Sequence, residues 1–255
     1  MERYELSDPN GLFKGNGPLL IAHRGYTPTA PENSLISFSK AAKRGYWAIE
    51  TDVHATLDGV LVCCHNFSLS KMYGVSMKIE EHTYKELSEL YITVGNDADK
   101  YSRGELRLPI FEEYLDICKK SGCVPFIETK GDVVGKTLDA VERFDLVRHA
   151  VLSSINFDHI SEARKLNKDI FVHHIFSTPE QMEIIAGYGN GGLSYNYPIL
   201  DEVPKGLIEM THEHGVRVCL RAGDSAESIK RMMEIGLDYI PTNCMEPHRL
   251  PESIS

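Results

Sequence analysis

A chain of 255 residues, 42 % hydrophobic and 25 % charged, can bury a large core as one domain, and α/β barrels of about 250 residues do so. Asp and Glu number 37 against 27 Lys and Arg, and the resulting formal charge of −10 opposes non-specific binding to nucleic acid or to an anionic membrane. No stretch of about 18 apolar residues occurs and the opening MERYELSDPNGLFKG holds no apolar export segment, so neither a membrane span nor secretion is expected.

Leu19 to His23 reads as a first strand, and Ser34 to Arg44 as a helix with Leu35, Phe38, Ala41 and Ala42 on one face, stopped by Gly45. Trp47 to Val53 is the second strand. Gly59 to His65 is a further extended run, separated from it only by a Leu57-Asp58-Gly59 turn, so the two form a hairpin outside the parallel series. Residues 66 to 107 break the alternation; a capping box at Thr83-Tyr84-Lys85-Glu86 starts a short helix within them. Pro109 is expected to start the next helix and Gly122 to end it, before a strand over Val124 to Glu128.

From there the rhythm is regular. A helix near Lys136 to Phe144 leads to a strand His149 to Ser153, and a helix after Asp158 leads to a strand Ile170 to Phe176. Thr178-Pro179 caps the next helix, followed by a strand Gly191 to Tyr195. The helix 204 to 214 precedes the strand Val216 to Leu220, and the helix 225 to 235 precedes Tyr239 to Thr242. Without the hairpin arm about eight strand–helix units remain, the count of a (β/α)8 barrel. Residues 1–255 are then a single domain with an insertion at about 66–107. An open doubly wound sheet is the alternative, but no GxGxxG opens the first helix. The cysteines (Cys63, Cys64, Cys118, Cys123, Cys219, Cys244) form no CxxC pair and read mostly as small core residues of a reduced, cytoplasmic protein.

In a barrel the chemistry sits where strands run into helices. His23-Arg24-Gly25 ends the first strand, Glu50 and Asp52 lie near the end of the second, Glu128 and Lys130 end the third parallel strand, and Ser153-Ser154 end the fourth. Residues two apart on a strand share a face, so Glu50 with Asp52, and Glu128 with Lys130, project together. Three converging carboxylates repel unless a cation neutralises them, and an all-oxygen set suits Mg²⁺ or Ca²⁺. Such an ion, with Arg24 and Lys130, would hold a phosphodiester, while His23 and His65 could move the protons that its hydrolysis requires. Singly, each motif has a plainer reading: a satisfied core histidine, a solvated strand-end acid, a Glu–Lys pair worth at most about 1 kcal/mol.

Together the motifs resemble the glycerophosphodiester phosphodiesterase family. They stand here as His23-Arg24-Gly25, Pro31-Glu32-Asn33-Ser34, Glu50-Thr51-Asp52, Asp58-Gly59 through His65-Asn66, and Glu128-Thr129-Lys130. The resemblance implies a TIM barrel with a small inserted segment over its C-terminal mouth, and metal-dependent cleavage of glycerophosphodiesters to sn-glycerol 3-phosphate and an alcohol. Carried over residue by residue, it makes Glu50, Asp52 and Glu128 the metal ligands, Arg24 and Lys130 the phosphate-binding residues, and His23 and His65 the acid/base pair. His23 is assigned as base and His65 as acid in a first step that yields a cyclic phosphate. The partner is a small glycerophosphodiester; the oligomeric state is not encoded.

Two departures from the family pattern stand out. Where the family has HD, this chain has His65-Asn66, which removes a charge beside the proposed acid. Where members carry a Trp after the seventh strand, this chain places Arg221, which is expected to meet an anionic or polar substrate group; Tyr195 is a further candidate for the mouth. These departures keep two other readings open: lysophospholipase D or cyclising-lyase chemistry on lysophospholipids, and a non-catalytic relative. His173-His174, His212 and His214 do not share a face and are not read as metal ligands, and Met232-Met233 reads as helix packing.

Overall fold

Short buried aliphatic runs make the strands, and local caps set the helix boundaries. In the computed structural model, which describes residues 6–14 and 18–250, β1 (Leu20–Ala22) leads to α1 (Leu35–Lys43), whose first turn is closed by the Ser34 side chain accepting from the Ser37 amide. β2 (Ala48–Ala55) turns at Gly59, φ +82°, into β3 (Leu61–Cys63), antiparallel to it with Val53 opposite Cys63. This is the expected hairpin outside the parallel series. Two one-turn helices follow, α2 (Ser70–Tyr73) and α3 (Tyr84–Leu87), the second closed by the expected Thr83–Glu86 capping box.

The regular series then runs α4 (Phe111–Ser121), β4 (Val124–Thr129), α5 (Val134–Arg143), β5 (Val151–Ser154), α6 (Phe157–Leu166), β6 (Phe171–His174), α7 (Pro179–Ala186), β7 (Gly191–Ser194), α8 (Leu207–Glu213), β8 (Arg217–Cys219), α9 (Ala226–Glu234) and β9 (Ile240–Thr242). The parallel strands lie in the order β8-β7-β6-β5-β4-β2-β1-β9. The ends of this order meet: the Asp238 amide donates to the Val218 carbonyl at 3.0 Å and the Gly223 amide to the Pro241 carbonyl at 2.8 Å. The sheet is thus a nearly closed barrel of parallel strands with helices between, as the strand–helix count predicts.

Element boundaries differ where tertiary contacts override local signals. The helix expected from Pro109 starts at Phe111, because the Pro109 carbonyl accepts from the Cys63 amide at 3.0 Å and Ile110 bridges Val62. The strand expected to reach Phe176 ends at His174, since Phe176 adopts φ +64°. His149 belongs to a 3-10 turn over Val147–His149, and α8 begins only after Gly206, φ +83°.

The core has three parts. Ile49, Val53, Ile127, Leu152 and Val172 face the helices in the main layer. The barrel floor is apolar, with Ile21, Val124, Phe126, Val151, Phe171 and Tyr239 closing its lower end. A separate cluster, including Val62, Leu69, Ile79, Leu87, Ile92 and Leu108, lies under the segment after β3. Five cysteines are buried and Cys244 is exposed, all unpaired. Among the described residues no helix is long and apolar enough to cross a membrane.

Candidate active site

Strand alternation and register bring the three carboxylates together. Glu50 and Asp52 project into the barrel from β2, and Asp52 sits directly across from Glu128 of β4. One oxygen from each of Glu50, Asp52 and Glu128 lies within 4.8 Å of the others. Glu50 is 6 % exposed and Asp52 1 %. Burial first, then the charges of Asp52 and Glu128, push the Glu50 carboxyl well above the usual carboxylate range, and burial with Asp52 raises Glu128 as well. Asp52 accepts from Asn33 Nδ2 at 3.0 Å through Oδ2, whereas its Oδ1 accepts no hydrogen bond although Lys130 Nζ lies 3.2 Å away. A buried, under-satisfied, all-oxygen cluster of this kind fits a hard divalent cation.

Two cations adjoin the cluster. Arg24 takes φ +57° in the turn after β1, and the next residue, Gly25, φ +84°, packs on Ser37 of α1. The Arg24 amide donates to Glu50 Oε2 at 2.7 Å, and its Nη1 lies 3.2 Å from both oxygens of Glu32. Arg24 Nε is buried without a hydrogen-bond partner and forms a 3.7 Å ion pair with Asp52 Oδ2. Lys130 donates to Glu128. Burial disfavours its charge, but Asp52 and Glu128 outweigh that and hold its pKa above the ordinary lysine value.

The two histidines reach the same place by different routes. His23 follows β1, where its amide donates to the Thr242 carbonyl at 3.1 Å. Its Nδ1 is 2.8 Å from Asn243 Oδ1 and its Nε2 4.0 Å from Glu50 Oε2. His65 is carried back over the end of β2 because the Cys64 amide donates to the Asp52 carbonyl at 2.9 Å. Its Nδ1 lies 3.4 Å from Asn66 Oδ1. Burial is the main cause lowering both imidazole pKa values, and both rings feel the charges of Asp52 and Arg24.

The structure therefore assembles His23, Arg24, Glu50, Asp52, His65, Glu128 and Lys130, with Asn66 beside His65. It does not bring Tyr195 to the mouth. That ring is buried in the layer facing α8, with its hydroxyl 2.9 Å from Thr211 Oγ1, because Tyr195 follows β7 on the outward-facing register. Arg221 is exposed and donates to the Pro198 carbonyl. His173, His174, His212 and His214 make structural contacts, as the sequence suggests: His173 with Tyr239 at 2.6 Å, His174 with Ser177 at 2.7 Å, His212 with Asp238 at 3.0 Å and His214 with the Met210 carbonyl at 2.8 Å.

Sequence reasoning missed three residues of the site. His54 continues the Glu50–Asp52 face of β2, buried beside Phe67, with its pKa pushed down to about 4 by burial and its Nε2 unpartnered. The i, i+2, i+4 spacing carried that signal. Asn243, at the end of the Ile240-Pro241-Thr242-Asn243 stretch, and Asp224 support His23 from two other loops, a role that no local pattern signals.

The sequence model of the Glycerophosphoryl diester phosphodiesterase family matches residues 23–246. Among known proteins, Uncharacterized protein YqiK of Bacillus subtilis (strain 168) is 29 % identical over 153 residues, which are 58 % of this chain and 62 % of that relative's length. The Glycerophosphodiester phosphodiesterase of Bacillus altitudinis is 27 % identical over 239 residues, 88 % of this chain and 94 % of the relative. Among solved structures, an Oleispira antarctica phosphodiesterase in complex with the product sn-glycerol-3-phosphate shares the fold, with a TM-score of 0.76 at 22 % identity, over 89 % of this chain and 93 % of that one. With the family match running through both histidines, all three clustered acids and the last strand of the barrel, the chain belongs to the glycerophosphoryl diester phosphodiesterase family.

Proposed function

We propose that this chain hydrolyses glycerophosphodiesters to sn-glycerol 3-phosphate and an alcohol, using one divalent cation, Mg²⁺ or Ca²⁺. The observation that carries the reading is the approach of Glu50, Asp52 and Glu128 to within 4.8 Å of one another in a member of this family. Those carboxylates would hold the cation, which when bound would offset their mutual repulsion and polarise a phosphoryl oxygen. The guanidinium of Arg24 and the ammonium of Lys130, both beside Asp52, bind the remaining phosphate oxygens.

Proton movement falls to the histidines. His23 Nε2 takes the proton of the substrate's own glycerol hydroxyl as that oxygen bonds to phosphorus. The bond from phosphorus to the leaving oxygen breaks, and His65 gives that oxygen its proton. A cyclic phosphate results; water then opens it with the two histidines in exchanged roles, leaving glycerol 3-phosphate. Residues 1–255 act in this proposal as one catalytic unit with an insertion at about 66–107; residues 1–5, 15–17 and 251–255 lie outside the described residues. A cytoplasmic location belongs to the same proposal, supported by the unpaired cysteines, which favour a reducing compartment.

The test is ³¹P NMR of chelator-treated protein incubated with a panel of glycerophosphodiesters and lysophospholipids, with Mg²⁺ or Ca²⁺ restored. Glycerol 3-phosphate formed only with metal supports the proposal and names the leaving alcohol. A persistent cyclic phosphate, or lysophosphatidate from a lysophospholipid, replaces it with lyase or phospholipase D chemistry. No turnover with either ion would leave a non-catalytic relative.

A further inference from the structure

We infer that Asp224 and Asn243 form a positioning relay that fixes the tautomer of His23 and so leaves Nε2 as the proton acceptor. The chain of hydrogen bonds has only one consistent direction. Asp224 is a carboxylate and accepts; it takes the Asn243 backbone amide on Oδ1 at 2.7 Å and the Asn243 side-chain Nδ2 on Oδ2 at 2.7 Å. Thr242 Oγ1 adds a third donor to Oδ1 at 3.1 Å. The carboxamide of Asn243 is therefore turned with its nitrogen toward Asp224 and its oxygen toward His23.

That oxygen, an acceptor, stands 2.8 Å from His23 Nδ1. Nδ1 must therefore carry the hydrogen, and in the neutral ring the lone pair lies on Nε2, the atom on the Glu50 side of the imidazole. A freely turning Asn243 would offer His23 its NH₂ group as readily as its oxygen, and the lone pair would then move to Nδ1, away from the site. The relay joins three strand ends: His23 follows β1, Asp224 follows β8 and Asn243 follows β9. It thus spans the seam where β8 and β9 meet, and its Asp224 and Asn243 side chains are exposed.

The consequence for catalysis rests on the proposed hydrolase reading, but the tautomer does not. We would record ¹⁵N–¹H long-range correlations of the histidine rings at alkaline pH, where the rings are neutral, assigning His23 by the signals lost in His23→Gln. In the wild type His23 is expected in the Nδ1–H form. Asn243→Ala and Asp224→Ala should each convert part or all of it to the Nε2–H form, with the other histidines unchanged. With metal and a glycerophosphodiester, Asn243→Ala should lower kcat by about 10²-fold, at the low end of the range for a general base, while KM stays within about twofold. A wild-type ring already in the Nε2–H form, or variants that keep the wild-type tautomer, would overturn the relay. A wild type inactive on every diester would refute the hydrolase reading while the tautomer shift still supported the relay.

Discussion

The backbone amide of Arg24 donates a 2.7 Å hydrogen bond to Glu50 Oε2, so the turn after β1 and the acid cluster on β2 and β4 form one electrostatic unit. That single bond does not compensate three buried carboxylates, and Glu50 and Glu128 both hold their protons above the usual carboxylate range. Without cation, the folded chain thus binds protons that the unfolded chain has already released. Stability should fall as pH rises through the window above about 4.5. Glu50→Gln is expected to flatten that slope in thermal melts of chelated protein. Cation at about 100 times its Kd should stabilise the wild type by about 2.7 kcal/mol, and the variant much less. A slope and a cation response equal to the wild type's would remove Glu50 from the ligand set.

The glycine of the His23-Arg24-Gly25 turn is required for two separable reasons. Its φ of +84° disfavours any side chain, and a Cβ there would stand 2.3 Å from Ser37 Oγ and 2.8 Å from the Ser37 backbone carbon. Gly45 shares the first condition, φ +71°, with nothing within 4 Å. Gly45→Ala is therefore expected to cost about 1 kcal/mol, the left-handed penalty alone. Gly25→Ala should cost about 3 kcal/mol or more and displace Arg24 from the cluster. Denaturant midpoints of the two variants check the difference, and equal losses would mean that packing on Ser37 is irrelevant.

Much of this site is legible in sequence because strands impose it. A period of two forces Glu50 with Asp52, and Glu128 with Lys130, onto common faces, and parallel register then sets Asp52 opposite Glu128. His65 is harder to place, since a hairpin alone does not say that the Cys64 amide returns to Asp52. Tyr195 is hard to place because the end of a short strand has no pattern long enough to distinguish inward from outward, and its partner Thr211 lies on the following helix. The pairing of Asn243 with Asp224 is invisible for a related reason: they meet across the closure of the barrel, which no local window spans.

Tyr195 offers a control for the boundary of the site. Its hydroxyl contacts Thr211 in the helical layer, so Tyr195→Phe should cost about 1 kcal/mol of stability. Turnover should be unchanged. A loss of kcat/KM larger than about threefold, with the fold intact, would return this ring to the mouth.

Arg221 tests recognition beyond the phosphate. It is exposed, and it donates to the Pro198 carbonyl in the loop after β7, which leaves its remaining donors available to an incoming group. Arg221→Ala is expected to reorder the preference among leaving alcohols, lowering kcat/KM most for anionic ones, by about tenfold. Competition between an anionic and a neutral diester, followed by ³¹P NMR, reads this directly. An unchanged ranking would show that Arg221 serves only to pin the loop.

Asn66 sets the working range of the proposed acid. Burial lowers the pKa of His65, and the neutral Asn66 oxygen, 3.4 Å from Nδ1, offsets this only in part. An acid must hold its proton at the start of the step, so the alkaline limb of kcat/KM follows the His65 pKa. In Asn66→Asp a carboxylate replaces the amide, favours the imidazolium and raises that pKa, so the alkaline limb should move to higher pH. Because His65 is only partly buried, solvent screening keeps the shift below about one pH unit. The acidic limb, governed by His23, should stay where it is, since His23 donates its hydrogen bond to Asn243 and not to Asn66. Profiles measured at saturating cation distinguish the assignments: movement of the acidic limb instead would make His65 the base and His23 the acid.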